Sequence, residues 1–150
     1  MASVVYLLNG PNLNLLGVRE PHIYGSKTLA DVEAMCRPVA ERYGYELQFR
    51  QTNREYEMVD WIQEARQSAG LIINPAGFSH NAVPVLDALK TCECPVVEVH
   101  ISNLHKRAAE EPWRGQSLMT AAATGLIAGL GVQGYVLAAE YMGRRLSGAD

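Results

Sequence analysis

Five short apolar runs decide most of what this chain can fold into: Ser3–Leu8, Glu46–Gln51, Leu71–Asn74, Pro95–His100 and Gly125–Gly129. Most are continuous rather than alternating. A strand that is apolar on both sides must be covered on both sides, which is the condition of a parallel strand inside an α/β sheet. The segments between the runs carry the helical period instead. Leu29, Val32, Cys36, Val39 and Tyr43 form one stripe, opened by Thr28 and Asp31 at the spacing of a capping pair. Pro38 falls inside that stripe and predicts a kink or an early stop. Met58, Ile62, Ala65 and Ala69 mark a second helix, and Val132 to Leu146 forms the last. Val83, Leu86 and Leu89 mark a third, with Pro84 in its first turn, where a missing N–H is tolerated.

Strands alternating with helices, joined by right-handed crossovers, predict a three-layer α/β sandwich. Five strands suit the doubly wound order 2-1-3-4-5 of flavodoxin-like folds, a parallel sheet whose ligand crevice opens where the winding reverses. The chain has 150 residues, 48% of them hydrophobic, with no repeat or linker, so residues 1–150 read as a single domain. Strands 1, 3 and 4 would then be neighbours. The segments leaving their carboxyl ends, Asn9–Tyr24, Asn74–His80 and His100–Arg114, hold nearly all the unusual polar residues. The fold therefore gathers them in one pocket.

Charge and composition exclude other classes. Thirteen Lys and Arg against 16 Asp and Glu leave a net charge of −3, which offers no field to nucleic acid or to anionic lipid. The uncharged stretch Gly115–Ala139 is long enough for a membrane span, but glycines at 125, 129, 131 and 134 punctuate it. It reads as a buried strand followed by a closely packed helix. No Lys or Arg precedes Arg19, so the charged start of a secretory signal is missing. The cysteines are Cys36, Cys92 and Cys94, an odd number that suits a reducing cytoplasm. Gly129 to Gly134 matches G-x-G-x-x-G, yet no further strand or acidic ribose ligand follows, so it reads as helix packing. Lys27, Lys90 and Lys106 all lie outside the apolar strands, where a Schiff-base lysine would be desolvated.

Two constellations point to acid–base chemistry. Glu98 and His100 stand two apart on a strand and share a face. A carboxylate beside an imidazole fixes its tautomer and holds its proton; the bland alternative is a satisfied buried pair that only stabilises the sheet. An ionisable pair at the end of a central strand is costly without a purpose, which favours the functional reading. His80 joined to this pair would make a zinc site, but no His or Cys stands at helical i, i+4 ligand spacing. In the first loop Arg19 lies near Tyr24, and a guanidinium beside a phenol favours the tyrosinate. Gly17 and Gly25 bracket this stretch as hinges of a lid would; an ordinary solvated loop fits the spacing equally well.

These segments resemble the type II 3-dehydroquinate dehydratases, or type II dehydroquinases. Asn9–Tyr24 with Gly25, Thr28 and Leu29 is similar to that family's opening signature. Asn74–His80 is similar to its second motif, Glu98–Asn103 to its third and Gly125–Tyr135 to its closing segment. The resemblance implies reversible anti elimination of water from 3-dehydroquinate through an enolate, giving 3-dehydroshikimate, without cofactor, metal or imine. The reaction would serve the shikimate pathway of aromatic amino-acid biosynthesis or quinate breakdown. It implies Tyr24 as the base at C2 and Arg19 as the residue favouring its ionised form. Asn12 would steady the enolate through a water, and His100, held by Glu98, would protonate the departing hydroxyl. Asn74, Ser102 and the N–H of Ile101 would hold the carboxylate, and His80 and Arg114 the ring hydroxyls. Asp87 would reach in from a neighbour within a cytoplasmic dodecamer, a tetramer of trimers.

The sequence departs from the family pattern in two places. Ala76-Gly77 stands where the family has the reverse order, with Phe78 for a tyrosine. Ala108–Pro112 lengthens the interval between two arginines, and Gly115-Gln116 replaces a pair of histidines. The spacing of Arg114 to Ser117 favours Arg114 over Arg107 as the substrate clamp. Two rivals remain at this level: a non-catalytic sensor of quinate-like acids, and a flavin- or nucleotide-binding module of the same fold.

Overall fold

A computed structural model describes residues 3–148. It contains a five-stranded parallel sheet in the order β2-β1-β3-β4-β5, the predicted topology. The strands are β1 (Val4–Asn9), β2 (Glu46–Gln51), β3 (Gly70–Asn74), β4 (Val96–His100) and β5 (Gly125–Ala128). Two short helices, α1 (Pro21–Tyr24) and α5 (Leu104–Arg107), belong to the loops above the sheet. On one face lie α2 (Leu29–Tyr43) and α6 (Gln133–Leu146), on the other α3 (Glu55–Ala65) and α4 (Val83–Leu89). Side-chain alternation sorts each strand between the two cores. Val5, Leu7, Ile72, Val97 and Val99 face α2 and α6; Leu8, Leu71, Ile73 and Val96 face α3 and α4. Removing each of these aliphatic side chains from water is worth about 1.5–3 kcal/mol. The same parity continues to the strand ends. It sends Asn9 and Asn74 toward α6, and Glu98 and His100 to the opposite face.

Three local expectations change. The helix α2 keeps its Thr28–Asp31 capping box but runs unbroken through Pro38. Pro38 and Ala34, whose carbonyl loses its partner, both lie on the exposed side of the helix. In α4 the buried residues are Val85, Ala88 and Leu89, while Val83 is 51% exposed. The Pro84 turn starts the helix one step out of phase with the apolar spacing. β5 takes the edge position that the predicted order gives it, but Leu126 is exposed rather than buried, because β5 has no neighbour on its outer side among the described residues. The G-x-G-x-x-G segment is helix packing: a Cβ on Gly134 would stand 3.3 Å from Ile127 and 3.4 Å from Val99. No described helix is long and apolar enough to cross a membrane.

Candidate active site

The carboxyl ends of β1, β3 and β4 form the floor of a cleft of about 450 Å³. It is lined by nine of the sequence-predicted residues: Asn12, Arg19, Tyr24, Asn74, His80, His100, Ile101, Ser102 and Arg114. Arg107, Trp113 and Pro11 join them. Glu98 lies behind His100, fully buried, and Asp87 is exposed on α4 outside the cleft of its own chain. A more open depression of about 990 Å³ adjoins the cleft and shares Tyr24, Ile101, Ser102 and Arg107 with it, but not the histidines or Asn74.

On the floor, His100 Nε2 is hydrogen-bonded to Glu98 Oε2, and Thr120 Oγ1 donates to Glu98 Oε1 at 2.6 Å. Burial by itself pushes the Glu98 carboxyl up. Hydrogen bonds from His100, Ser117 and Thr120 outweigh that and hold it below its ordinary range, so it is a carboxylate at neutral pH. The ring nitrogen of His100 left unengaged by Glu98 is Nδ1. Asn74 Oδ1 accepts the N–H of Ala76 at 3.1 Å, a local bond that supports the left-handed backbone of Ala76 (φ 49°). Across β1, Asn12 also has left-handed backbone (φ 70°), and its N–H donates to Asn53 Oδ1 at 3.0 Å.

Residues 17–25, the stretch that the sequence reads as a lid, form the next wall. The two ends of this stretch touch: a Cβ on Gly17 (φ 92°) would come within 2.8 Å of the Ser26 carbonyl oxygen, so glycine is required there. Arg107 Nη1 donates to the Tyr24 hydroxyl at 2.8 Å and to Ser102 Oγ at 3.3 Å. Arg19 contributes differently, with its guanidinium carbon 4.9 Å from the centre of the Tyr24 ring. Two cations thus attend one phenol, and the one bonded to its oxygen is Arg107.

The third wall follows from the lengthened loop. Arg114 stacks on Trp113 at 4.2 Å and faces Glu111 across 3.0 Å. The edge of His80 meets Trp113 at 5.0 Å, and His80 Nδ1 lies 2.9 Å from the Gln116 carbonyl. A carbonyl only accepts, so Nδ1 carries the hydrogen, and neutral His80 keeps a bare Nε2 as an acceptor. Burial lowers the His80 pKa, and the charges of Arg114, His100 and Arg107 add to this against the Gln116 bond. Sequence reasoning missed Trp113 and Thr120. Both sit in loops whose only signal was the unusual length or small-residue content.

This combination of fold and site has known counterparts. The family model for Dehydroquinase class II matches residues 3–143. The chain belongs to this family. It is 57% identical over 141 residues to "3-dehydroquinate dehydratase 2" of Agrobacterium fabrum, covering 93% of this chain and 94% of that one. It is also 57% identical to the 3-dehydroquinate dehydratase of Streptomyces coelicolor, covering 91% of this chain and 86% of that one. Among solved structures, the type II dehydroquinase of Propionibacterium acnes superposes with a TM-score of 0.87 at 42% identity, covering 95% and 97% of the two chains. In this class II chain the four motifs read from the sequence map onto β1 and the lid, the β3 loop, the end of β4, and β5 with α6.

Proposed function

We propose that this class II dehydroquinase is a hydro-lyase that removes water from 3-dehydroquinate to give 3-dehydroshikimate. The observation that carries this reading is one cleft with a phenol held by a guanidinium on its lid and a buried carboxylate–imidazole pair on its floor. A proton beside a ketone is a weak acid, so its removal needs a strong base; a tyrosinate paired with Arg107 and flanked by Arg19 is one. Tyr24 takes the C2 proton and the ketone becomes an enolate. Asn12 steadies that oxygen through a water. His100, its Nε2 occupied by Glu98, delivers a proton from Nδ1 to the C1 hydroxyl, which leaves as water. Asn74, Ser102 and the Ile101 N–H hold the carboxylate, while Arg114 and the bare Nε2 of His80 hold ring hydroxyls. No lysine lines the cleft, so the ketone reacts without an imine.

The reading extends to assembly and place. Val83, Pro84 and Asp87 are exposed together on α4, and Leu126 on the open edge of the sheet. These faces suit a closed cytoplasmic homododecamer of about 198 kDa in which Asp87 serves a neighbour's cleft. Sedimentation tests it: a fully active monomer contradicts both the assembly and the role of Asp87. The activity is tested by adding 3-dehydroquinate and following the conjugated enone in the ultraviolet, with and without a chelator. Steady formation in both is expected; a chain that binds without turnover is the sensor instead.

A further inference from the structure

Beneath the cleft lies a chain of hydrogen bonds that none of the steps above uses. Asn9 and Asn74 are register partners at the ends of β1 and β3, respectively 0% and 3% exposed. Between them, from the first turn of α6, comes Tyr135, fully buried. Its hydroxyl donates to Asn9 Oδ1 at 2.9 Å and accepts from Asn74 Nδ2 at 2.8 Å. Asn9 Nδ2 donates to the Arg50 carbonyl at 3.1 Å, and Asn74 Oδ1 accepts the Ala76 N–H at 3.1 Å. The run thus begins on a backbone group that can only accept and ends on one that can only donate. Every direction in between is then fixed. Turning either amide over would set oxygen against oxygen or N–H against N–H.

We propose that Tyr135 is a positioning residue of the active site, whose hydroxyl, together with the Ala76 N–H, locks the Asn74 amide so that it presents an N–H, not an oxygen, to the carboxylate of the substrate. This rests on the reading that the cleft takes a carboxylate. An amide free to turn would present its oxygen part of the time, and an anion would meet a lone pair. A buried phenol and two buried amides are costly in a core that Phe and Leu would fill, and they are stable only because each finds its partners. The same lock supports the left-handed Ala76 through Asn74, and so the backbone from which His80 projects.

Tyr135→Phe removes the hydroxyl and keeps the ring. In the full chain it should raise KM for 3-dehydroquinate about tenfold, leave kcat within about threefold and leave the pH profile unmoved. A variant that loses thermal stability but keeps its KM would show a structural role alone and overturn the proposal. Neutron diffraction from the perdeuterated wild-type chain decides the orientation even if the variant does not fold. Two deuterons on the Asn74 atom facing Tyr135, and the Tyr135 deuteron directed at Asn9, are required; the reverse order overturns the proposal. Absence of turnover by the wild-type chain would fall on the proposed activity, while the neutron result would still decide the lock.

Discussion

On the floor of the cleft and just beneath it, Asn9, Asn74, Glu98 and His100 are each at most 5% exposed, and each is hydrogen-bonded to a neighbour. On the lid, no residue of α1 is buried, Val18 is 76% exposed, and Gly17 and Gly25 both have left-handed backbone. In the proposed mechanism the groups that need one fixed orientation, the acid and the carboxylate binders, stand on strand ends or just beyond them. In the same proposal the base, Tyr24, stands on the segment between Gly17 and Gly25, where Arg107 from α5 donates to its hydroxyl. On this reading precision is set on buried strand ends and access on an exposed segment bracketed by positive-φ glycines.

The largest effect should come from the base itself. Tyr24→Phe should lower kcat by roughly 10²-fold or more with little change in binding, whereas His100→Ala should damage both. If Tyr24→Phe kept near-normal kcat, the lid would carry no chemistry and the contrast would fail. The two arginines sharpen it. Arg114→Ala should raise KM roughly tenfold, because substrate hydroxyls lose donors in a closed cleft. Arg107→Ala should act mainly on kcat, since the shorter of its two hydrogen bonds is to the Tyr24 hydroxyl and the longer to Ser102. A crystal complex with a substrate analogue that placed Arg107 on the ring hydroxyls would reverse these assignments.

Smaller effects test the floor. The folded Glu98 carboxyl sits below its ordinary 4.5, so its contribution to stability is present above about pH 4.5 and is lost as pH falls through the lowered value. Glu98→Gln should therefore cost about 1–3 kcal/mol at pH 7, with the gap to wild type closing below pH 4.5 in denaturant titrations. A gap that widened in acid would mean the pair is held protonated. The smallest effect concerns Ala76. Ala76→Gly relieves a left-handed alanine and should raise stability by less than about 1 kcal/mol, and so Tm by less than about 4 °C. A lower Tm would mean that the methyl group's packing outweighs the strain.

Sheet order and the three converging loops were legible because continuous apolar runs and helical stripes report burial directly. Pro38 and Val83 were misread because spacing does not say which face meets water. The edge position of β5 followed from the predicted order, but its exposure did not, because an apolar run does not show whether anything packs on it. Most of the candidate residues were legible, since Glu98 and His100 obey strand parity and the motifs are dense. Tyr135 as partner of Asn9 and Asn74 was not, because its contacts span 126 and 61 positions. The contact of Arg107 with the Tyr24 hydroxyl likewise spans 83 positions.

The central claim is a division of labour, with proton removal by the lid and departure of the hydroxyl assisted from the floor. Hydrogen exchange at C2 separates the two steps. Each variant is incubated with 3-dehydroquinate in deuterated water, and recovered substrate is examined by mass spectrometry while enone is followed in the ultraviolet. His100→Ala should load deuterium at C2 faster than the enzyme-free control while forming almost no enone, because the lid still makes the enolate. Tyr24→Phe should do neither. Exchange that survives in Tyr24→Phe and disappears in His100→Ala would contradict the account.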